Sequence, residues 1–141
     1  MLPQNRRGGM GNNLIINIYS LTFSVNIIIF AVKITYKTNK LEKQLTVAKE
    51  MQKAFGKMAK KVNQRIKELS AIDNVEHLKT IPAARCHELK GEKKGEFAVD
   101  ISGNYRIIFE PDHNPIPLKE DSSIDCIRIT DIKILGTEDY H

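Results

Sequence analysis

The hydrophobic positions of this chain change their period after its first third and again near its middle. Val32, Ile34 and Tyr36 alternate with Lys33, Thr35 and Lys37, which predicts a short opening strand. Asn39 is a suitable N-cap, with Glu42 three residues later completing a capping-box pattern. Leu41, Leu45, Ala48, Met51 and Phe55 then follow at helical spacing as far as Gly56, a natural break. Met58, Val62, Ile66, Leu69 and Ile72 continue with a period of three to four, so the pattern predicts two helices or one kinked helix with Lys and Arg outward. Asp73-Asn74 marks a boundary, and Val75 to Leu78 is one further turn before Pro82. Beyond Pro82 the period drops to two. Phe97, Val99 and Ile101 alternate, Ser102-Gly103-Asn104 supplies turn chemistry, and Tyr105, Ile107 and Phe109 alternate again. Ile127 with Ile129 and Ile132 with Ile134 read as strand with a one-residue slip, as a bulge would give. Pro111 to Ser123 between them reads as a long exposed loop. Helices packed on an antiparallel meander define an α+β domain over residues 33–141.

Residues 1–32 are a separate segment. No charge occurs from Gly8 to Val32, and 14 of the 19 residues in 14–32 are apolar. A signal sequence lacks its small-residue cleavage site here. The strict alternation of Leu21, Phe23, Val25 and Ile27 with Thr22, Ser24 and Asn26 is a strand period and speaks against a membrane-crossing helix. An added strand, an anchor and a start codon placed too far upstream remain the readings of this extension.

Composition narrows the class. With 41% hydrophobic and 28% charged residues in 141, the chain is neither wholly disordered nor long enough for two comfortable domains. Cys86 and Cys126 have no ligand-like spacing, which excludes a zinc ribbon or a disulfide scaffold and suits a reducing compartment. The net charge of +5 is uneven: residues 40–79 hold ten Lys/Arg against five Asp/Glu, whereas residues 85–141 hold eight against twelve. The Lys-rich helices are therefore either a solvated face or a polyanion-facing one.

No phosphate-binding glycine loop, GxSxG elbow, HExxH or three-ligand cluster occurs, so neither metal nor cofactor is expected. The remaining chemistry lies in His87 and Lys90 of His-Glu-Leu-Lys-Gly, Asn104 and Arg106 of Asn-Tyr-Arg-Ile-Ile-Phe, and the terminal Asp139-Tyr140-His141. Taken singly these have ordinary explanations: a structural histidine, a solvated turn, a surface ion pair for Arg106, and a frayed end. His77 and His113 have the same ordinary reading, and both cysteines read as small buried hydrophobes.

Together the motifs change that. Within the run 87–97, residues 87–95 fit the pattern H-x-L-K-G-[DE]-[RK]-x-G, residues 104–109 fit N-[WY]-R-[IL]-x-F, and the chain ends in D-Y-H. In this order they resemble the HigB type of the RelE/ParE toxin superfamily, over residues 33–141. The proline-bearing loop at 111–123 is longer than the usual hairpin, and residues 1–32 match nothing in the family.

The resemblance implies a RelE-like fold and a ribosome-dependent, metal-independent mRNA endonuclease, the toxin of a type II toxin–antitoxin pair in the cytoplasm. A ribose 2′-OH would attack its own 3′ phosphate, which needs a base, an acid for the 5′ oxygen, and cations on the phosphate. By the resemblance, His87 and His141 are the acid–base pair, since imidazole titrates near neutrality. Lys90 and Arg106 stabilise the phosphate, Asp139 orients an imidazole or assists proton transfer, Asn104 orients the nucleotide, and Tyr140 stacks on a base. Lys49, Lys53, Lys60, Lys61 and Arg65, read as lying off the apolar stripe, would dock on ribosomal RNA. The implied partners are the ribosome, mRNA and a helix-turn-helix antitoxin of the HigA kind. A ParE-like toxin acting on gyrase and a non-catalytic RNA- or ribosome-binding protein are the alternatives; a membrane role rests on residues 14–32 alone.

Overall fold

The computed structural model describes residues 13–16, 20–22 and 31–139. The chain divides into two compact units, residues 1–30 and 31–141. In the first, β1 (Asn13–Ile16) and β2 (Ser20–Thr22) pair antiparallel. Of the alternating run 21–27, Leu21 and Thr22 belong to β2 and the rest lies outside the described residues.

The second unit opens with β3 (Lys33–Tyr36) and enters α1 (Asn39–Thr46). The cap is Thr38 rather than Asn39: Thr38 has the extended backbone an N-cap needs, and its Oγ1 accepts from the Leu41 amide at 3.0 Å. The helical stretch breaks twice. Val47 is extended, with φ −102° and ψ 118°, and separates α1 from α2 (Ala48–Phe55). Gly56, at φ 54°, ends α2 in a conformation that L side chains rarely adopt, as its place in the sequence predicts. A 3-10 turn at Gly56–Met58 leads into α3 (Ala59–Ala71), and Asn74, accepting from the His77 amide, caps the single turn α4 (Val75–Leu78).

Four more strands follow: β4 (His87–Glu88), β5 (Phe97–Asp100), β6 (Tyr105–Pro111) and β7 (Asp131–Asp139). Their order across the sheet is β3-β7-β6-β5-β4. The meander is antiparallel as expected, but β3 lies parallel to β7, so the sheet is mixed. The expected strand at Ile127–Ile129 is instead a 3-10 turn over Cys126–Arg128, in which Ile127 is 63% exposed, followed by the fully buried Ile129 as its C-cap. A one-turn helix with one inward residue imitates a two-residue period. A bulge does occur, but between Ile108 and Phe109 of β6 against β7.

Helix residues Leu45, Phe55, Val62 and Leu69 meet Phe97, Val99, Ile107 and Phe109 of the sheet in one core, with the rings of Phe97 and Phe109 stacked at 5.4 Å. The helices therefore cover one sheet face. Side chains alternate along a strand, so Ala98, Asp100, Arg106 and Ile108 belong to the other face; Ala98 and Ile108 are buried outside that core.

Candidate functional site

Strand register places the motif residues. His87 is the cross-strand partner of Ala98, which is paired with Ile108, which is paired with Gly136. One step along the same face, Asp100, Arg106 and Glu138 form the next row. His87 and Arg106 thus share the helix-free face, with their backbones roughly 10 Å apart across the sheet and about 7 Å along it. Side chains of that length can converge on one phosphate between them.

The His87 ring is oriented by its own chain. Its Nδ1 lies 2.8 Å from the carbonyl oxygen of Arg85, and a carbonyl can only accept, so Nδ1 carries the proton. In the neutral ring the lone pair is then on Nε2, the atom a general base uses. Arg85 itself adopts a left-handed backbone, φ 42°, which turns that carbonyl toward the ring. Its Nε is ion-paired at 3.0 Å with Asp100, whose side chain is only 8% exposed. Neither Arg85 nor Asp100 belongs to the sequence motifs; Arg85 stands two residues before His87, and only the register shows Asp100 facing Arg106.

Arg106 is half-buried and paired. Its Nε and Nη2 both donate to one oxygen of Glu138, at 3.1 and 2.8 Å, and Lys93 donates to the other oxygen at 2.7 Å. The ion pair that is the ordinary reading of Arg106 is thus present, on the face that also carries His87. Hydrogen bonds from Lys93 and then Arg106 hold the Glu138 carboxyl below its usual range. Two cations converging on one carboxylate form an anion-binding arrangement.

Lys90 is exposed on the turn after β4, beside Gly91, whose φ of 68° the turn requires. Asn104 is exposed at the β5–β6 turn. Asp139 ends β7 opposite Tyr105, one residue out of phase with the Arg106 row. Tyr140 and His141 lie outside the described residues. Lys49, Lys53, Lys60 and Lys61 are exposed on α2 and α3. Arg65 departs from the expectation: it is 5% exposed, donates from Nε to the Asp100 carbonyl at 2.6 Å, and is ion-paired with Glu68. It stands three residues after Val62 and four before Leu69, so it lies on the inward stripe and fastens α3 to β5.

Among the described residues no group of three His, Cys, Asp or Glu could hold a metal ion, and no helix is long and apolar enough to cross a membrane.

A helical layer on a small mixed sheet, with a histidine and paired cations on the helix-free face, fits the class of small toxins that the motifs resemble. Residues 34–118 match the family of RelE-like toxins of the type II toxin–antitoxin system HigB, and the chain belongs to that family. No curated protein matches it. Similar solved structures include a YoeB/ParE toxin from Agrobacterium tumefaciens, with 13% identity, 77% of this chain and 99% of that one covered, and a TM-score of 0.42. The YoeB-YefM complex from Staphylococcus aureus matches at 18% identity, covering 78% and 97%, with a TM-score of 0.40. The toxin–antitoxin complex RelBE2 from Mycobacterium tuberculosis matches at 14%, covering 79% and 99%, with a TM-score of 0.37.

Proposed function

We propose that this toxin is an endoribonuclease that cuts mRNA on the ribosome by 2′-OH attack on the scissile phosphate, using only its own side chains. The observation that carries the reading is His87, whose Nδ1–H is committed to the Arg85 carbonyl, so that Nε2 is the available base on the face shared with Arg106. In this reading His87 removes the 2′ proton and His141 returns one to the 5′ oxygen, with Asp139 assisting the terminal imidazole. Lys90, Arg106 and Lys93 stabilise the phosphate as its charge grows. Asn104 positions the nucleotide and Tyr140 stacks on a base. The exposed lysines 49, 53, 60 and 61 provide a face for ribosomal RNA. Residues 33–141 form the toxin domain and residues 1–32 an extension. A helix-turn-helix antitoxin would restrain it in the cytoplasm.

The test is primer extension on mRNA after brief induction. Codon-register cuts are expected from the wild type. His87→Ala should lower cleavage by about 10²–10⁴-fold, the usual contribution of one positioned base. Growth arrest with intact message would refute the reading and leave a binding toxin.

A further inference from the structure

Beside His87 the structure carries a second feature that the motifs do not describe. A cleft of about 420 Å³ is walled by Lys61, Gln64 and Arg65 of α3, by Arg85, and by Asp100 with Ser102 and Gly103 of the β5–β6 turn. Its size is at the small end of ligand pockets, suited to one nucleotide rather than a larger group.

The charges of this cleft are sorted by depth. Arg65 is buried and balanced by Glu68. Asp100 is buried and balanced by Arg85. The Arg85 side chain nevertheless remains 67% exposed, with its Nε at 3.0 Å from the carboxylate. Its two outer nitrogens form the edge with which a guanidinium grips a phosphate. Lys61, exposed on the same wall, adds a cation. What the cleft presents to a ligand is therefore positive, although acids help to build it.

Its position joins it to the site already described. Arg85 contributes its side chain to the cleft and its carbonyl to the His87 ring, so one residue spans both. Gly103 at the rim is followed by Asn104. Asp100, at the cleft wall, is the cross-strand partner of Arg106.

We propose that this cleft is a subsite for the RNA phosphate next to the scissile one, with Arg85 as its anchor and Lys61 as its second cation. The proposal rests on the nuclease reading for the identity of the neighbouring phosphate. An anchored flanking phosphate would hold the strand so that the 2′-OH beside His87 stays in line.

The probe is a short single-stranded RNA with a 2′-deoxy sugar at the cleavage position, which binds without being cut, titrated by fluorescence anisotropy over a salt series. Arg85→Gln should weaken binding about tenfold, as loss of a charge-assisted contact does. It should also lower the salt slope by roughly 0.7, one phosphate's share for a single strand. Lys61→Gln, at an exposed position, should act in the same direction and keeps the test decisive if Arg85→Gln melts early. Lys119→Gln, in the exposed 112–125 loop, should change neither quantity. Wild-type affinity and slope in both cleft variants would overturn the subsite while leaving cleavage by His87 intact. Absence of ribosomal cleavage by the wild type, with Arg85-dependent binding of the probe, would instead overturn the nuclease reading and, with it, the assignment to a scissile neighbour, leaving only an RNA-phosphate contact at the cleft.

Discussion

Replacing Arg65 by Gln separates folding from docking. The guanidinium makes a 2.6 Å hydrogen bond from Nε to the Asp100 carbonyl and an ion pair with Glu68, at 5% exposure. Gln cannot make both contacts. The Asp100 carbonyl loses a charged donor, worth about 1.5–3 kcal/mol in a buried setting. Glu68 keeps the 3.3 Å contact from Gln64 Nε2, and its side chain is 23% exposed, so its loss is moderated by water. Together these give a destabilisation of about 2–4 kcal/mol, a large share of the roughly 5–15 kcal/mol that holds a domain folded. For a domain of this size that lowers Tm by about 8–16 °C. Lys is not a conservative replacement, because a point charge cannot serve a carbonyl and a carboxylate with the geometry of a planar fork.

The assay is thermal and urea unfolding of Arg65→Gln beside a Lys49→Gln, Lys53→Gln, Lys60→Gln variant. The lysine variant removes three exposed charges and should melt within about 6 °C of wild type, since surface changes away from packing stay within about 0.5 kcal/mol each. Its ribosome affinity should fall and depend less on salt. An Arg65→Gln protein that melted like wild type but lost ribosome binding would refute the fastening role and restore the docking one.

Two further outcomes follow from titrating groups. Glu138 has its carboxyl held low by Lys93 and Arg106, so its contribution to stability is complete above the unfolded value of about 4.3 and is lost as pH falls through the lower folded value; Glu138→Gln should therefore melt below wild type at pH 7, with the gap closing as pH drops below 4 in a melting series, and a gap independent of pH would refute the coupling. Burial pushes the Cys86 thiol up to about 12 and raises that of Cys126 as well, so neither should react with iodoacetamide at pH 8 until the protein is unfolded; rapid labelling of the native protein, read by mass spectrometry, would contradict the burial.

Much of the fold was legible because burial is one-sided. The apolar spacing from Leu41 to Leu69 marks the helices, and the alternation from Phe97 to Phe109 marks β5 and β6. Local competition decided the rest. Thr38 and Asn39 are both good caps, and only the backbone angle at Thr38 chooses between them. A period of two at Ile127 and Ile129 cannot be told from a 3-10 turn with one inward residue. The parallel pairing of β3 with β7 joins residues nearly a hundred positions apart, and no local pattern encodes it. Arg65 was illegible for another reason. Among lysines it looks like one more outward cation, although its spacing from Val62 and Leu69 is that of a core position. The motifs supplied His87, Lys90, Asn104 and Arg106, but not the groups that hold them. Glu138, Asp100 and Arg85 act through contacts set by strand register and a turn, which spacing does not reveal.

Those acids give the open face its character. Cations packed on one small sheet would repel each other if left unbalanced, and each carboxylate relieves that at a different depth. Asp100 is 8% exposed and its backbone carbonyl accepts from Arg65, so its carboxylate is fixed in the scaffold as the inner partner of Arg85. Glu138 is 30% exposed at the end of β7, and water already competes for its bonds to Arg106 and Lys93. A phosphodiester matches a carboxylate in charge at rest and exceeds it in the transition state, so it can take those bonds from the more exposed Glu138 more readily than from Asp100. In the proposed reaction the two pairs would thus divide the work. Arg85 keeps a fixed inner partner and offers its outer edge, while Arg106 and Lys93 exchange a carboxylate for the phosphate. In that proposed reaction the internal acid would keep the cations aligned between turnovers and weaken ground-state binding by the cost of its own displacement, so Arg106 would favour most the state in which the phosphate carries the greatest charge.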